Sequence, residues 1–320
     1  MSSEVGSPTG SRWRAIASRL LPRLFFYPSV IASLLVFPAG VPYMLLGWLL
    51  LFALQRSRGK PGWRSLAFGV VLLLVRGADW TPALILLGLL MVACAVLDLR
   101  GMKKPATVVA VCLAPAWIAM AWTWSDAGHT TRRPALVPDR PIVCMGDSLS
   151  AGGYPGHLAR RLSVPVVDKS AGGSRTTYGL RLLPEVLALR PQAVVLELGG
   201  NDFAMGKGRR ETRANLETMI RAIRETGAEV FLFEVPRGFV YDSFWGIDRQ
   251  LARQYDLELV HDGAIRQLVL FGPASPLTSW SGRQLSYDGL HPNDAGHAFL
   301  AGRVEASLRR VYGDGILARK

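Results

Sequence analysis

Four short stretches carry residues able to do chemistry together. The first is Gly146-Asp147-Ser148-Leu149-Ser150, directly after the apolar run Ile142–Met145. The second is Ser170-Ala171-Gly172-Gly173-Ser174, the third Gly199-Gly200-Asn201-Asp202, and the last Asp288-Gly289-Leu290-His291-Pro292-Asn293. A serine hydroxyl is a weak nucleophile and needs a base within hydrogen-bond reach. His291 is a candidate base, and Asp288, three residues away on the same turn, is a candidate to orient it. An acyl-transfer intermediate also needs donors for its oxyanion, and glycine N–H groups and an asparagine amide suit that purpose. The chemistry to expect is nucleophilic attack of Ser148 on an acyl carbonyl.

The elements around these stretches must bring them to one place. The run 142–145, bounded by Pro141 and Gly146, reads as a buried strand. Further strands are expected at Val164–Val167, Ala193–Leu198, Glu229–Val235 and Leu257–Val260. Helices are expected at Gly156–Leu162, Tyr178–Leu189, Glu211–Thr226, Phe244–Tyr255 and Asp294–Val311, with a long loop before the last. Strands alternating with helices imply a parallel sheet covered on both faces. Ligands collect at the carboxyl ends of such strands; the first three stretches follow strands, the last precedes the closing helix, and in a parallel sheet all four arrive at one edge.

The four stretches in this order resemble the SGNH (GDSL) hydrolase family over about residues 140–312. GDSLS matches its nucleophile block, Gly173 its second, Gly199–Asp202 its third and Asp288–His291 its last. Leu216 to His261 also resembles the thioesterase/lysophospholipase-like and arylesterase-like branch. The resemblance implies a flavodoxin-like three-layer α/β/α domain with about five parallel strands. It implies Ser148 as nucleophile, with Asp288 and His291 as its partners. It also implies an oxyanion hole formed by the backbone N–H of Ser148, that of Gly173 (Gly172 being the alternative) and the Asn201 amide. No cofactor is implied. Arg175, two residues past Gly173, departs from the small polar pattern usual there. It is read either as a surface residue or as a partner for an anionic substrate group.

The formal charge of +13 is unevenly spread. Residues 1–125 hold twelve basic and only three acidic residues, whereas the rest of the chain is nearly balanced. The basic residues of the first part lie between apolar stretches, so membrane topology explains them better than nucleic acid does. Leu24 to Gln55 is a run of 32 uncharged residues split by Pro38 and Pro42, and reads as a helical hairpin. Ser65–Val75 with Trp80–Leu97 reads as a second hairpin, and Pro105–Ser125 as a full span. The expected organisation is a basic segment 1–23, an all-α transmembrane region 24–125 with about five crossings, a linker 126–140 and a catalytic domain 141–320. With basic loops on the cytoplasmic side, the catalytic domain falls on the outer, periplasmic face of the inner membrane. A cleaved signal sequence is disfavoured, because the first apolar run is much longer than a signal core.

Cys94, Cys112 and Cys144 lack metal-ligand spacing and read as buried small hydrophobes. His129, His157, His261 and His297 have no carboxylate at triad spacing and read as surface or helix-capping residues. Asp147 is expected to shape the nucleophile turn. The aromatic stretch Gly238–Trp245 reads as a core cluster or as an acyl-binding rim, with Phe239, Tyr241 and Trp245 as candidate substrate contacts. Taken together, these features lead to the expectation of a membrane-anchored serine ester hydrolase. Its substrate would be an acyl ester from lipid or envelope glycan. The same residues would serve an O-acyltransferase or O-acetylesterase acting on such a glycan, and a non-catalytic protein keeping the fold is the third reading.

Overall fold

The computed structural model describes residues 52, 55, 56, 60–63, 82–102, 108, 128–236, 243, 244 and 246–318. The chain divides into two units, one of Met1–Leu74 with Trp80–Ser125, the other of Val75–Asp79 with Asp126–Lys320. In the first unit, helix α1 spans Pro82–Leu99. Asp98 is buried in its last turn, paired with Arg56 at 3.1 Å and accepting hydrogen bonds from the backbone N–H of Gly62 and Trp63. Among the described residues, no helix is long and apolar enough to cross a membrane. The all-α transmembrane region expected from the sequence is therefore not met there. The expected spans over 24–51, 65–75 and 109–125 lie outside the described residues.

The second unit carries a parallel sheet. Its strands are β1 (Ile142–Gly146), β2 (Val166–Asp168), β3 (Ala193–Glu197), β4 (Glu229–Phe233) and β5 (Glu258–Val260). They lie in the order β2-β1-β3-β4-β5, the doubly wound flavodoxin-like order. Side chains alternate across the strands, and both faces are buried. Ile142, Cys144, Val195, Phe231 and Phe233 face one core; Val143, Met145, Val194, Leu196 and Leu232 face the other. This two-sided burial is why the strands read as continuous apolar runs.

The first face is covered by α2 (Tyr154–Ala159), α7 (Gly263–Leu270) and α9 (Asp294–Tyr312). The second is covered by α3 (Thr176–Ala188), α5 (Arg209–Glu225) and α6 (Ile247–Tyr255). Short helices α4 (Gly200–Ala204) and α8 (Pro276–Ser281) complete the set. The elements expected from periodicity are present, with ends displaced by a few residues. The exception is the loop expected between the fifth strand and the last helix. It contains α7 and α8, and α7 buries Ala264, Ile265 and Leu268. Eight residues hold only two turns, too few for the 3.6-residue period to stand out.

The stretch expected to be a linker is tied down along its described part. Leu259 donates its N–H to the Gly128 carbonyl, and Glu258 receives the Thr130 N–H. Thr131 bonds the Asp256 carboxylate through its backbone and its hydroxyl, and Gln192 holds Val137 in both directions. Residues 128–140 thus run along the second unit as part of it.

Candidate active site

The sheet order creates the site. The chain leaves β1 toward β2 and later returns to place β3 on the other side of β1. The loops after β1 and β3 consequently diverge, opening a crevice at their carboxyl ends. Ser148 follows β1 by two residues, and Asn201 follows β3 by four. Gly199 makes the turn into α4 at φ +110°, a left-handed conformation that a side chain would strain.

His291 arrives from the opposite end of the chain. The loop that carries it is fastened at several points. The Tyr287 N–H donates to the His291 carbonyl, the Asn293 N–H donates to the Leu285 carbonyl, and the Ser286 hydroxyl bonds the Leu268 carbonyl of α7 at 2.6 Å. Asn293 then caps α9, its side-chain oxygen accepting from the Gly296 N–H. This fastening sets the imidazole facing the nucleophile, with His291 Nε2 lying 3.2 Å from Ser148 Oγ. On the other side of the ring, Nδ1 lies 2.7 Å from Asp288 Oδ2. Asp288 Oδ1 accepts the backbone N–H groups of Leu290 and His291 at 2.8 and 2.7 Å. The His291 ring and these two amides hold the Asp288 carboxyl well below the usual carboxylate range. It is an anion at any pH at which the enzyme would work.

Ser148, Asn201 and His291 line one cleft of about 410 Å³. The rest of its wall is mainly apolar: Leu149, Phe203, Val235, Ile265, Val269 and Leu290. The Asn201 amide nitrogen lies 2.9 Å from Asp147 Oδ2 and 3.1 Å from the Ser174 carbonyl, so both its hydrogens have acceptors. The amides of Ser148 and Gly173 donate to no acceptor among the described residues. Gly172, Gly173 and Arg175 line a second, smaller hollow with Tyr178 and Arg181, and none of the three is part of the cleft wall. Phe239, Tyr241 and Trp245 lie outside the described residues.

Asp147 shapes the turn as expected, its Oδ1 accepting the Leu149 N–H at 3.0 Å. Sequence reasoning missed the carboxyl beneath it. Glu197, at the end of β3, is fully buried. Its Oε2 accepts the Ser150 hydroxyl at 2.9 Å and the Asp147 N–H at 3.2 Å. Burial, and then the neighbouring Asp147 charge, push the Glu197 carboxyl far up; burial also raises Asp147. A glutamate closing an otherwise apolar strand was the signal available in the sequence.

Three of the remaining histidines acquire carboxylate partners from distant parts of the sequence. His129 meets Glu258 at 3.2 Å, His157 meets Asp294 at 2.9 Å, and His261 lies 3.8 Å from Glu234. Half-buried His297 packs on Gly153, where an added Cβ would fall 2.1 Å from the ring. These four histidines are carboxylate-contacting or packing residues. Cys144 is buried in β1, its thiol pushed up to about 12 by burial, which makes it inert. Among the described residues, no cluster of His, Cys, Asp or Glu could hold a metal ion.

A family model described as GDSL-like Lipase/Acylhydrolase matches residues 144–299. An arylesterase of Vibrio mimicus is 30% identical over 185 residues, which cover 52% of this chain and 87% of the relative. The thioesterase 1/protease 1/lysophospholipase L1 of Escherichia coli (strain K12) is 28% identical over 183 residues, covering 52% and 83%. A crystal structure of TesA is 28% identical, with a TM-score of 0.46, covering 54% of this chain and 99% of its own.

Proposed function

Since the chain belongs to the GDSL-like lipase/acylhydrolase family and is an ester-bond hydrolase, we propose that it works through Ser148, His291 and Asp288 by way of an acyl-enzyme. The observation that carries this reading is the run of contacts Ser148 Oγ–His291 Nε2–His291 Nδ1–Asp288 Oδ2, at 3.2 and 2.7 Å, opening on an apolar cleft.

In this mechanism Asp288 accepts the Nδ1–H of His291 and so leaves Nε2 unprotonated toward Ser148. Nε2 takes the hydroxyl proton as Oγ attacks the acyl carbonyl. The amides of Ser148 and Gly173 and the side-chain amide of Asn201 donate to the oxyanion. For Asn201 this means sharing the hydrogen that now bonds the Ser174 carbonyl. His291 returns its proton to the departing alcohol or thiol, leaving the acyl group on Ser148. Water, deprotonated by His291, then attacks the acyl carbon; the acyl–Oγ bond breaks, the acid leaves, and His291 hands the proton back to Ser148 Oγ. The apolar wall of Phe203, Val235, Ile265 and Val269 suits a hydrocarbon acyl group better than a sugar. The test is hydrolysis of a panel of acyl esters by wild type and Ser148→Ala, together with fluorophosphonate labelling. Activity and labelling should both vanish in the variant, and labelling that persists would remove Ser148 from the role.

The proposal extends to location. Residues 24–125 anchor the chain in the inner membrane, and the catalytic unit lies on the outer face, where it meets lipid or envelope acyl esters. Three basic segments, 12–23, 56–64 and 98–104, support this by the positive-inside rule. Leu89, Val92, Val96 and Leu99, an exposed apolar stripe along α1, support lipid contact. A reporter active only outside the membrane should be active when fused after Ala127 and silent after Gly59 or Gly101. The reverse pattern would put the site in the cytosol.

A further inference from the structure

Glu197 has no part in the acyl-transfer scheme, yet it sits directly beneath the nucleophile turn. Its place is built into the sheet. Gly146 and Glu197 are register partners on β1 and β3. A Cβ on Gly146 would come within 2.8 Å of Glu197 Oε2 and 2.3 Å of Ser150 Oγ. The glycine that opens the nucleophile block is thus the space into which this carboxyl and its hydroxyl partner fit.

The groups around the carboxyl are Asp147 and Ser150 from the nucleophile turn and Tyr154 from α2, all buried. None of them is basic. Glu197 is fully buried and its Oε2 takes the backbone N–H of Asp147, itself buried, and two carboxyls brought this close out of water do not both ionise. Asp147 is the better holder of the charge. Its Oδ1 accepts the Leu149 N–H and its Oδ2 the Asn201 amide. Glu197 has one oxygen bonded to the Ser150 hydroxyl and the Asp147 N–H. Its Oε1 is buried and has no donor among the described residues. The proton therefore belongs on Glu197.

We infer that Glu197 is a positioning residue: it remains a carboxylic acid, receives the Asp147 N–H and the Ser150 hydroxyl on its Oε2, and so fixes Asp147 as the anchor of the Asn201 amide in the Ser148 cleft. Ionised, it would repel Asp147 and release that anchor. This rests on Asn201 serving as an oxyanion donor, as proposed above.

Two substitutions of similar size separate this role from simple packing. Glu197→Gln keeps an acceptor for the Asp147 N–H and the Ser150 hydroxyl and cannot ionise, so kcat should stay within about threefold of wild type. Glu197→Leu removes that acceptor, and kcat should fall about 10–100-fold with KM unchanged. On an Asn201→Ala background, Glu197→Leu should cost little more, because both changes act on one donor. The infrared spectrum of the wild type at neutral pH should show a carboxylic-acid C=O band that shifts on deuteration and is absent from Glu197→Gln. If Glu197→Leu does not fold, the infrared band and the Gln variant still decide the matter. Absence of the band would overturn the proposal. So would a folded Gln variant with the defect predicted for Leu, or full additivity with Asn201→Ala. If Asn201→Ala alone leaves kcat intact while the band is present, it is the oxyanion reading that fails.

Discussion

Replacing Asp288 with Asn tests the proposed relay where its geometry is most specific. The asparagine carbonyl can still accept the Leu290 and His291 amides, which lie 2.8 and 2.7 Å from Asp288 Oδ1, so the loop should keep its shape. What changes is the atom 2.7 Å from His291 Nδ1. An NH₂ group there cannot accept the ring N–H. The imidazole then turns its protonated nitrogen toward Ser148, and the imidazolium formed during attack loses its counter-charge. A carboxylate about 4 Å from a positive charge contributes about 1 kcal/mol in water and about 4 kcal/mol near a protein surface. Both side chains are half exposed, Asp288 at 54% and His291 at 46%, so the value lies between these limits. Each ~1.4 kcal/mol is a factor of ten in rate. A fully buried aspartate in a comparable relay costs about 10⁴ when replaced by Asn. For Asp288→Asn the expected loss in kcat is about 10²–10³, with KM little changed. Initial rates on a chromogenic ester, with a thermal melt of each protein, measure it. A loss smaller than about tenfold in a folded variant would refute the reasoning, because the charge would then contribute no more than it does in water.

Two further perturbations follow from the same contacts. Asn201→Ala should lower kcat by about 10²–10³ with KM nearly constant, since its amide acts on developing charge; a large rise in KM at constant kcat would make it a ground-state binding residue instead. Glu234→Gln probes the buried ion pair at the end of β4, where Arg249 donates to both carboxylate oxygens. Burial pushes the Glu234 carboxyl up, but the Arg249 guanidinium and His261 pull it further down, well below the usual range. A depressed carboxyl stabilises the fold above the ordinary glutamate range, and this is lost as pH falls through its folded value. The variant should therefore melt on the order of 10 °C lower at neutral pH, from about 3–5 kcal/mol for breaking a buried pair, and the gap should close on acidification. A gap that widens in acid would show that the pair is not what stabilises this corner.

Much of this protein is decided by short-range pattern. The apolar run 142–145 ending in Gly-Asp-Ser is a strand that delivers a serine, whatever follows. Asp288 and His291 share one turn because three residues separate them, so their pairing is local. The amphipathic stripe of Leu216, Met219, Ile220 and Ile223 specifies a helix and the face it buries. Other features exist only once the sheet has formed. Ser148 and His291 are 143 residues apart, and they meet because α9 packs back on α2 beside β1. Glu197 meets Asp147 across 50 positions only through the β1–β3 register, and a one-residue slip would turn it to the other face. The same register gives Gly146 its necessity. His129, isolated by spacing, finds Glu258 on β5, and the loop between β5 and α9 acquires α7 by burying it against the sheet. Periodicity reports which side of an element is apolar, over a turn or two. Which buried polar groups then face each other depends on strand order and register, and these arise from the packing of the whole sheet between its two cores.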